Sequence, residues 1–412
     1  MPEFLSLVTP QEALQKLFTL VNLEPEPEET STDRALGRVT SYDILSPQDL
    51  PDFRRSTVDG YAVLAKDTNG ASESLPAYLQ LAGEVNMGQP ARLLLDSAEC
   101  ALIHTGGMLP ENADAVVMLE DTQQLTAAEI EVYKPVAPGQ NLIEIGEDVA
   151  AGDVVIPRGT KLGPAEIGGL MALGITSLET AKPPRIGIIS SGDEVIPPYQ
   201  VPTPGQVRDV NSYTLGSLIQ KLGGIGIHYG IISDNRDDMR EALAKGLQEC
   251  DHLIVTAGSS ASARDLTAEI MDELGDPGVL VHGLHIKPGK PTILALAGRQ
   301  VMIGLPGNPV SALVIAQVLV KPIIERSLGV EDSGFLPTLD AELTVNISSQ
   351  AGREDWIPVK VVKDSGAGFR AEPVFGRSNL IFILVRADGL VRIPPAVTGL
   401  EAESTVTVHL FN

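Results

Sequence analysis

Two runs decide the fold: RIGIIS at 185–190 and HLIVTAG at 252–258. Both are apolar and rich in β-branched residues without alternation, which is how a strand covered on both faces reads. Helical spacing returns over Tyr213 to Leu222, Arg236 to Cys250 and Leu266 to Leu274, with a further apolar run, GIHYGIIS (226–233), between the first two helices. Strands alternating with helices from Arg185 to Ile324 predict a three-layer α/β domain with a mostly parallel sheet. VLVHGLHI (279–286), TILALAG (292–298) and QVMIGLPG (300–307) read as additional strands, and a last helix opens at Asn308 and Pro309.

Upstream, Thr9 to Val21 reads as a helix with Thr9 as N-cap, Pro10 at the first helical position, Glu12 closing a capping box, and Leu14, Leu17 and Leu20 on one face. Short alternating runs punctuated by Gly, Pro and Asn then occupy Leu75 to Val155, including YLQLAG, CALIHTGG and AVVMLED, and mark a β-rich unit. After DSGFLP (332–337) only strand-like alternation remains, enough for one small β module. The expected division is an N-terminal helix and linking region (1–45 with 150–182), a β-rich domain (46–149), the α/β domain (183–330) and a C-terminal β-barrel-like domain (331–412). The helix at 9–21 is expected to pack on the α/β domain.

With 412 residues the chain is too long for one core and fits roughly three or four compact units. Its 54 acidic against 30 basic side chains give a formal net charge of −24, which repels nucleic acid and anionic membrane. The longest apolar stretch, Val310 to Val320, is too short to span a bilayer, contains Gln317 and ends at Lys321. The first residues lack the basic start of a secretory signal, and Cys100 and Cys250 have neither disulfide-framework nor zinc-ligand spacing. A reducing cytoplasm is the expected setting.

The unusual polar residues of the α/β region fall just beyond the C-terminal ends of the expected strands, where open α/β sheets bind ligands. SSGDEV delivers Asp193 and Glu194; Asp234 follows GIHYGIIS; AGSSASARD ends in Asp265 at an expected helix start; HIKPGKP carries Lys287 and Lys290; LPGNPVS follows the last strand. Each has a plain alternative: Asp265 suits a helix cap, strand-end lysines are usually solvated, and Pro306 and Pro309 suit a stiff loop and a helix start. Their convergence on one edge favours an oxyanion site. Lysines and backbone N–H groups would hold phosphate-like anions, and the carboxylates would require a hard cation such as Mg²⁺ between them and a phosphate. His282 and His285, three apart on a strand, point to opposite faces and would chelate a metal poorly, so they read as ordinary buried or surface histidines.

STVDGYAV (56–63), IHTGG (103–107), ADAVVM (113–118), GQN (139–141), GED (146–148), SSGDEV (190–195), IKPGKP (286–291) and LPGNPVSAL (305–313) occur in one order along the chain. In this the sequence resembles the molybdopterin molybdenumtransferase family, the MoeA proteins and the E domain of gephyrin, over almost its whole length. The resemblance implies insertion of molybdate into adenylylated molybdopterin with release of AMP, an elongated homodimer of four-domain subunits, an α/β domain like molybdopterin adenylyltransferase, and a cleft completed by the partner subunit. Carried over by motif, Glu194 and Asp265 are the cation-binding carboxylates, while Asp234, Asp148 and Asp59 are acidic positions of the cleft. Thr105, Ser260, Pro306 and Pro309 are substrate-facing, and Lys287, Lys290, Ser311, Arg353 and Ser378 form the oxyanion pocket. Molybdopterin adenylyltransferase and molybdoenzymes are the implied partners.

Two departures stand out. AGSSASARD has Ala257 and Ser262 where the family loop has glycines, and NLIEIGED has Ile143, Glu144 and Ile145 where basic residues are usual, a loss that Arg54 or Arg55 is placed to offset. Tungstate remains an alternative oxyanion. The rival readings are adenylyl transfer by the α/β domain and a cofactor-binding scaffold without turnover.

Overall fold

The computed structural model describes residues 7–257, 261–330, 337–363 and 368–411. Two compact units emerge, one of residues 1–41, 158–163 and 177–412, the other of residues 42–157 and 164–176.

The first unit is built on a six-stranded sheet. Its strands run in the order Ile225–Ile232, Arg185–Ser191, His252–Ala257, Gln300–Pro306, Ile293–Ala297, Pro277–His282. The first four are parallel; Ile293–Ala297 runs against them, and Pro277–His282, antiparallel to Ile293–Ala297, again runs in their direction. Helices cover both faces, as the unbroken apolar runs predicted. Against one face pack Leu215 and Ile219 of the helix Asn211–Leu222, together with Ile315 and Ile324. Against the other pack Met239 and Leu243 of Arg236–Glu249 and Ile270 and Met271 of Ala261–Leu274. Pro10–Leu20 carries the expected capping box and buries Ala13 and Leu17 in the first of these cores. Among the described residues no helix is long and apolar enough to cross a membrane.

Three details depart from the sequence reading. VLVHGLHI is not one strand: Pro277–His282 ends at Gly283, whose φ of +104° is left-handed, and Ile286–Lys287 leaves to pair in parallel with Glu354 and Asp355. The helix read from Leu266 begins at Ala261, so Asp265 lies a turn inside it and caps nothing. The last helix is interrupted, running Pro309–Ile315, through a π turn at Ala316–Val320, to Lys321–Ser327.

Five strands close the C-terminal barrel: Thr338–Leu343, Glu354–Lys363, Phe369–Pro373, Gly389–Ile393 and Thr405–Leu410, with Glu354–Lys363 paired to Gly389–Ile393 to complete the circle. Closure removes the exposed edges that so short a sheet would otherwise present. Trp356, on the outer side of the barrel, is buried in the α/β core and donates its Nε1–H to Glu354 Oε1 at 2.6 Å.

The second unit carries its own six-stranded sheet, in the order Ala115–Met118, Gly60–Val63, Glu99–Ile103, Ala77–Val85, Glu129–Val132, Thr122–Thr126, with cores on both faces. Gly60 has a steric reason to be glycine: a Cβ there would stand 1.9 Å from the Val117 carbonyl oxygen.

His252 gives the α/β domain a pH-sensitive stability. Buried at the start of its strand, it accepts the Val301 N–H at Nδ1 (3.1 Å), so its proton sits on Nε2, 2.9 Å from Ser327 Oγ. Burial pushes its pKa down from 6.5 to about 4. A depressed histidine pKa leaves the stabilisation intact above about pH 6.5 and removes it as the pH falls toward 4, a loss of roughly 2–3 kcal/mol. Comparing urea midpoints of the wild type and His252→Gln at pH 7.5 and 4.5 should show the wild type losing that much more on acidification. Parallel losses in the two proteins would refute it.

Candidate functional site

A cavity of about 330 Å³ opens at the C-terminal edge of the parallel strands. Ser190, Ser191 and Thr256 come from strand ends, Glu194 from the loop after the first, Asp209 and Asn211 from the start of a helix, and Gly307 to Pro309 from the entry to the next. Asn379 of the barrel segment closes one side. The Glu194 side chain is half-buried and its carboxylate has no hydrogen-bond partner among the described residues, so it is free to meet a ligand.

Asp209 is the buried anchor of this cavity. Its carboxylate accepts Ser190 Oγ–H at 2.9 Å, the Ser212 N–H at 3.1 Å, and the Ser212 hydroxyl. These donors satisfy a charge that would be costly if buried alone. Asn211 donates Nδ2–H to the Gly307 carbonyl at 2.8 Å, tying the two helix entries together. The sequence reading passed over both. RDVNSYT (208–214) held the available signal, an Asp three residues before a Ser at the head of a helical run.

Asp234 is joined to the same edge by accepting Ser191 Oγ–H at 2.9 Å, and its own N–H donates to Asp193 Oδ1 at 3.2 Å. Asp265 is exposed on its helix and is not part of the cavity wall. Ser260 lies outside the described residues, as do the side chains of Ala257 and Ser262.

The lysine segment is held at its own place rather than in that cavity. Gly289 adopts φ +116°, and a Cβ would stand 2.3 Å from Ile315, so only glycine lets the loop lie on the helix Pro309–Ile315. Lys287 pairs with Asp355 across the ladder. Paired residues point to one face, and Arg353, in the bend just before the strand, is brought to the same carboxylate, its Nε–H and Nη2–H donating to Asp355 at 2.7 and 3.0 Å. Lys287 and Lys290 are exposed, and neither ammonium has a partner among the described residues. Ser378 accepts Asn308 Nδ2–H at 3.1 Å with its hydroxyl and the Val310 N–H at 3.0 Å with its carbonyl. That helix entry therefore spends one of its N–H groups on the barrel rather than offering it to an anion. Ser311 is buried in the same helix, and Pro306 is buried at the end of its strand.

In the second unit the Thr105 N–H donates to Asp59 Oδ1 at 2.9 Å, and this contact chiefly holds the Asp59 carboxyl below its usual pKa. The His104 ring lies between Asp59 Oδ1 (3.5 Å from Nδ1) and Glu84 Oε1 (3.2 Å from Nε2). Asp148 is exposed in its turn, its N–H donating to the Leu50 carbonyl. Neither arginine suggested as a phosphate ligand is idle: Arg54 donates to the Glu111 carbonyl at 2.6 Å, and Arg55 stacks on Phe53 at 4.7 Å.

Among the described residues no three His, Cys, Asp or Glu side chains converge as a ready-made metal site. The donors at the edge are hard carboxylate oxygens, which suit a cation that brings other ligands with it.

The site and its scaffold define a multidomain α/β protein with a polar ligand cleft at its strand ends and a cationic loop clamped to a barrel. Three family models match in succession: the MoeA N-terminal region (domain I and II) over residues 8–174, the "Probable molybdopterin binding domain" over 187–326, and the MoeA C-terminal region (domain IV) over 340–411. A Methanocaldococcus jannaschii protein named for molybdopterin biosynthesis is 35% identical, over 96% of this chain and 95% of its own. The molybdopterin molybdenumtransferase of Haemophilus influenzae is 30% identical over 98% and 99%. A crystal structure of a molybdopterin biosynthesis MoeA protein from Pyrococcus horikoshii is 36% identical, with a TM-score of 0.84 over 99% of this chain and 100% of that one. This chain belongs to the MoeA family.

Proposed function

We propose that the chain is a molybdopterin molybdenumtransferase, which takes adenylylated molybdopterin and molybdate, breaks the phosphoanhydride, releases AMP and leaves molybdenum on the dithiolene sulfurs. The observation that carries this reading is the pairing of Ile286–Lys287 with the barrel strand, which puts Lys287 opposite Asp355, the carboxylate that holds Arg353, in a segment whose two lysine ammonium groups have no partner among the described residues of a chain of net charge −24. Cations fixed in that way attract a compact dianion that the rest of the surface repels. The cavity lined by Glu194, Asp209 and Asn211 is of a size for one part of a nucleotide or pterin.

Mg²⁺ is read as arriving on the substrate phosphates, with Glu194 and Asp265 supplying oxygens to it; bound there, it would offset charge on the phosphoanhydride. Asp234 orders the edge through Ser191. Asp59, Thr105 and Asp148 are read as the substrate-facing groups of the β-rich unit, and Ser311, Ser378, Pro306 and Pro309 as the walls of the oxyanion pocket. The acting form is taken to be a cytoplasmic homodimer, supplied by molybdopterin adenylyltransferase and serving molybdoenzymes.

The test is AMP release, followed by chromatography, when molybdate is added to the folded protein and adenylylated molybdopterin. Stoichiometric AMP that depends on molybdate is expected, and a parallel run with tungstate measures oxyanion preference. ATP consumption with free molybdopterin would mark an adenylyltransferase instead, and tight binding with no AMP formed would mark a scaffold.

A further inference from the structure

We propose that Asp355 is a positioning residue for oxyanion capture, acting through Arg353; the inference rests on the reading of the lysine segment as the oxyanion cradle. Asp355 is 1% exposed, and its carboxylate takes both the Nε–H and the Nη2–H of Arg353, at 2.7 and 3.0 Å. A buried carboxylate is expensive, and replacing a buried ion pair by apolar residues is often neutral or stabilising, so packing alone does not call for it. What the pair does achieve is geometric. A two-point contact fixes the plane of the guanidinium, and the donors on the other Nη have no partner among the described residues.

The location gives that orientation a use. Asp355 is the ladder partner of Lys287, so the locked guanidinium lies on the face that presents the lysine segment. Lys287, Lys290 and Arg353, less the Asp355 carboxylate, also match in charge the two negative charges of a tetrahedral oxyanion such as molybdate.

Charge and geometry predict opposite signs for one substitution. Asp355→Asn makes the cradle more positive, and if charge alone mattered it would bind molybdate more tightly. If Asp355 holds Arg353 in place, the variant loses the two-point contact and binds molybdate about tenfold more weakly, the scale of one misplaced charge-assisted hydrogen bond.

Calorimetric titration of the full chain with molybdate tests this, using the wild type, Asp355→Asn, Arg353→Gln and the double variant. Weaker binding by Asp355→Asn is expected, with no additional loss when it is added to Arg353→Gln, because the effect passes through that arginine. Unchanged or tighter binding by Asp355→Asn would overturn the inference and leave the cradle standing, as would an equal further loss in the Arg353→Gln background. A folded wild type that binds no molybdate would remove the cradle and this inference together. Should Asp355→Asn fail to fold, Arg353→Lys serves, since it keeps the charge and lacks the fork: it should show the same weakening, and wild-type affinity would overturn the proposal.

Discussion

Replacing Lys287 and Lys290 together by alanine is expected to slow molybdate-dependent AMP release by about a hundredfold or more, the scale on which fixed electrostatic groups contribute to a transition state. Both side chains are exposed and have no partner among the described residues, so the thermal midpoint should stay within a degree or two of wild type, as for other surface substitutions. The variant should still bind adenylylated molybdopterin, because the cavity sized for one part of that substrate is lined by other residues. Loss confined to molybdate saturation at high substrate would place the lysines at the oxyanion. A double variant that releases AMP at the wild-type rate would end the cradle reading. Gly289→Ala is a backbone route to the same result, since its Cβ would meet Ile315 and shift the loop while leaving both charges present.

Glu194→Gln is expected to lower AMP release by roughly 10²–10³-fold while leaving molybdate affinity near wild type, which separates it from the lysine variants. The glutamine is nearly isosteric, and the carboxylate it replaces has no hydrogen-bond partner among the described residues, so a fall in rate is not a folding effect. Asp265→Asn should behave similarly. Both variants should need a higher Mg²⁺ concentration for half-maximal rate, because each removes an anionic oxygen from the cation proposed to ride on the substrate. Rates and Mg²⁺ titrations unchanged in both variants would withdraw these carboxylates from the chemistry.

The α/β domain was legible because its signal is local. An unbroken apolar strand such as RIGIIS and a helix such as Arg236–Glu249 state their burial in their own periodicity, and the edge at which ligands bind follows from strand direction. The capping box at Thr9 is equally local and formed as read. VLVHGLHI misled for a related reason: hydrophobicity records that a segment is buried, not which sheet buries it. Its second half pairs with the barrel strand beginning at Glu354, some seventy residues on, while Leu284 and Ile286 are buried in the α/β core. Asp209 and Asn211 were missed because a capping residue and a cavity-lining residue have the same local pattern; only the Gly307 and Ser190 contacts separate them.

By itself the sequence determined which elements form, the acidic surface that makes a cationic loop informative, and the order of motifs along the chain. The tertiary structure decided what those motifs touch. Lys287 is the ladder partner of Asp355, Ser378 meets Asn308, and Arg54 is spent on the Glu111 carbonyl, through pairings between residues far apart in the chain. The physical reason is range: periodicity and capping are fixed by neighbours within a turn or a strand, whereas a charge acquires its role from whichever distant groups folding brings within hydrogen-bond reach.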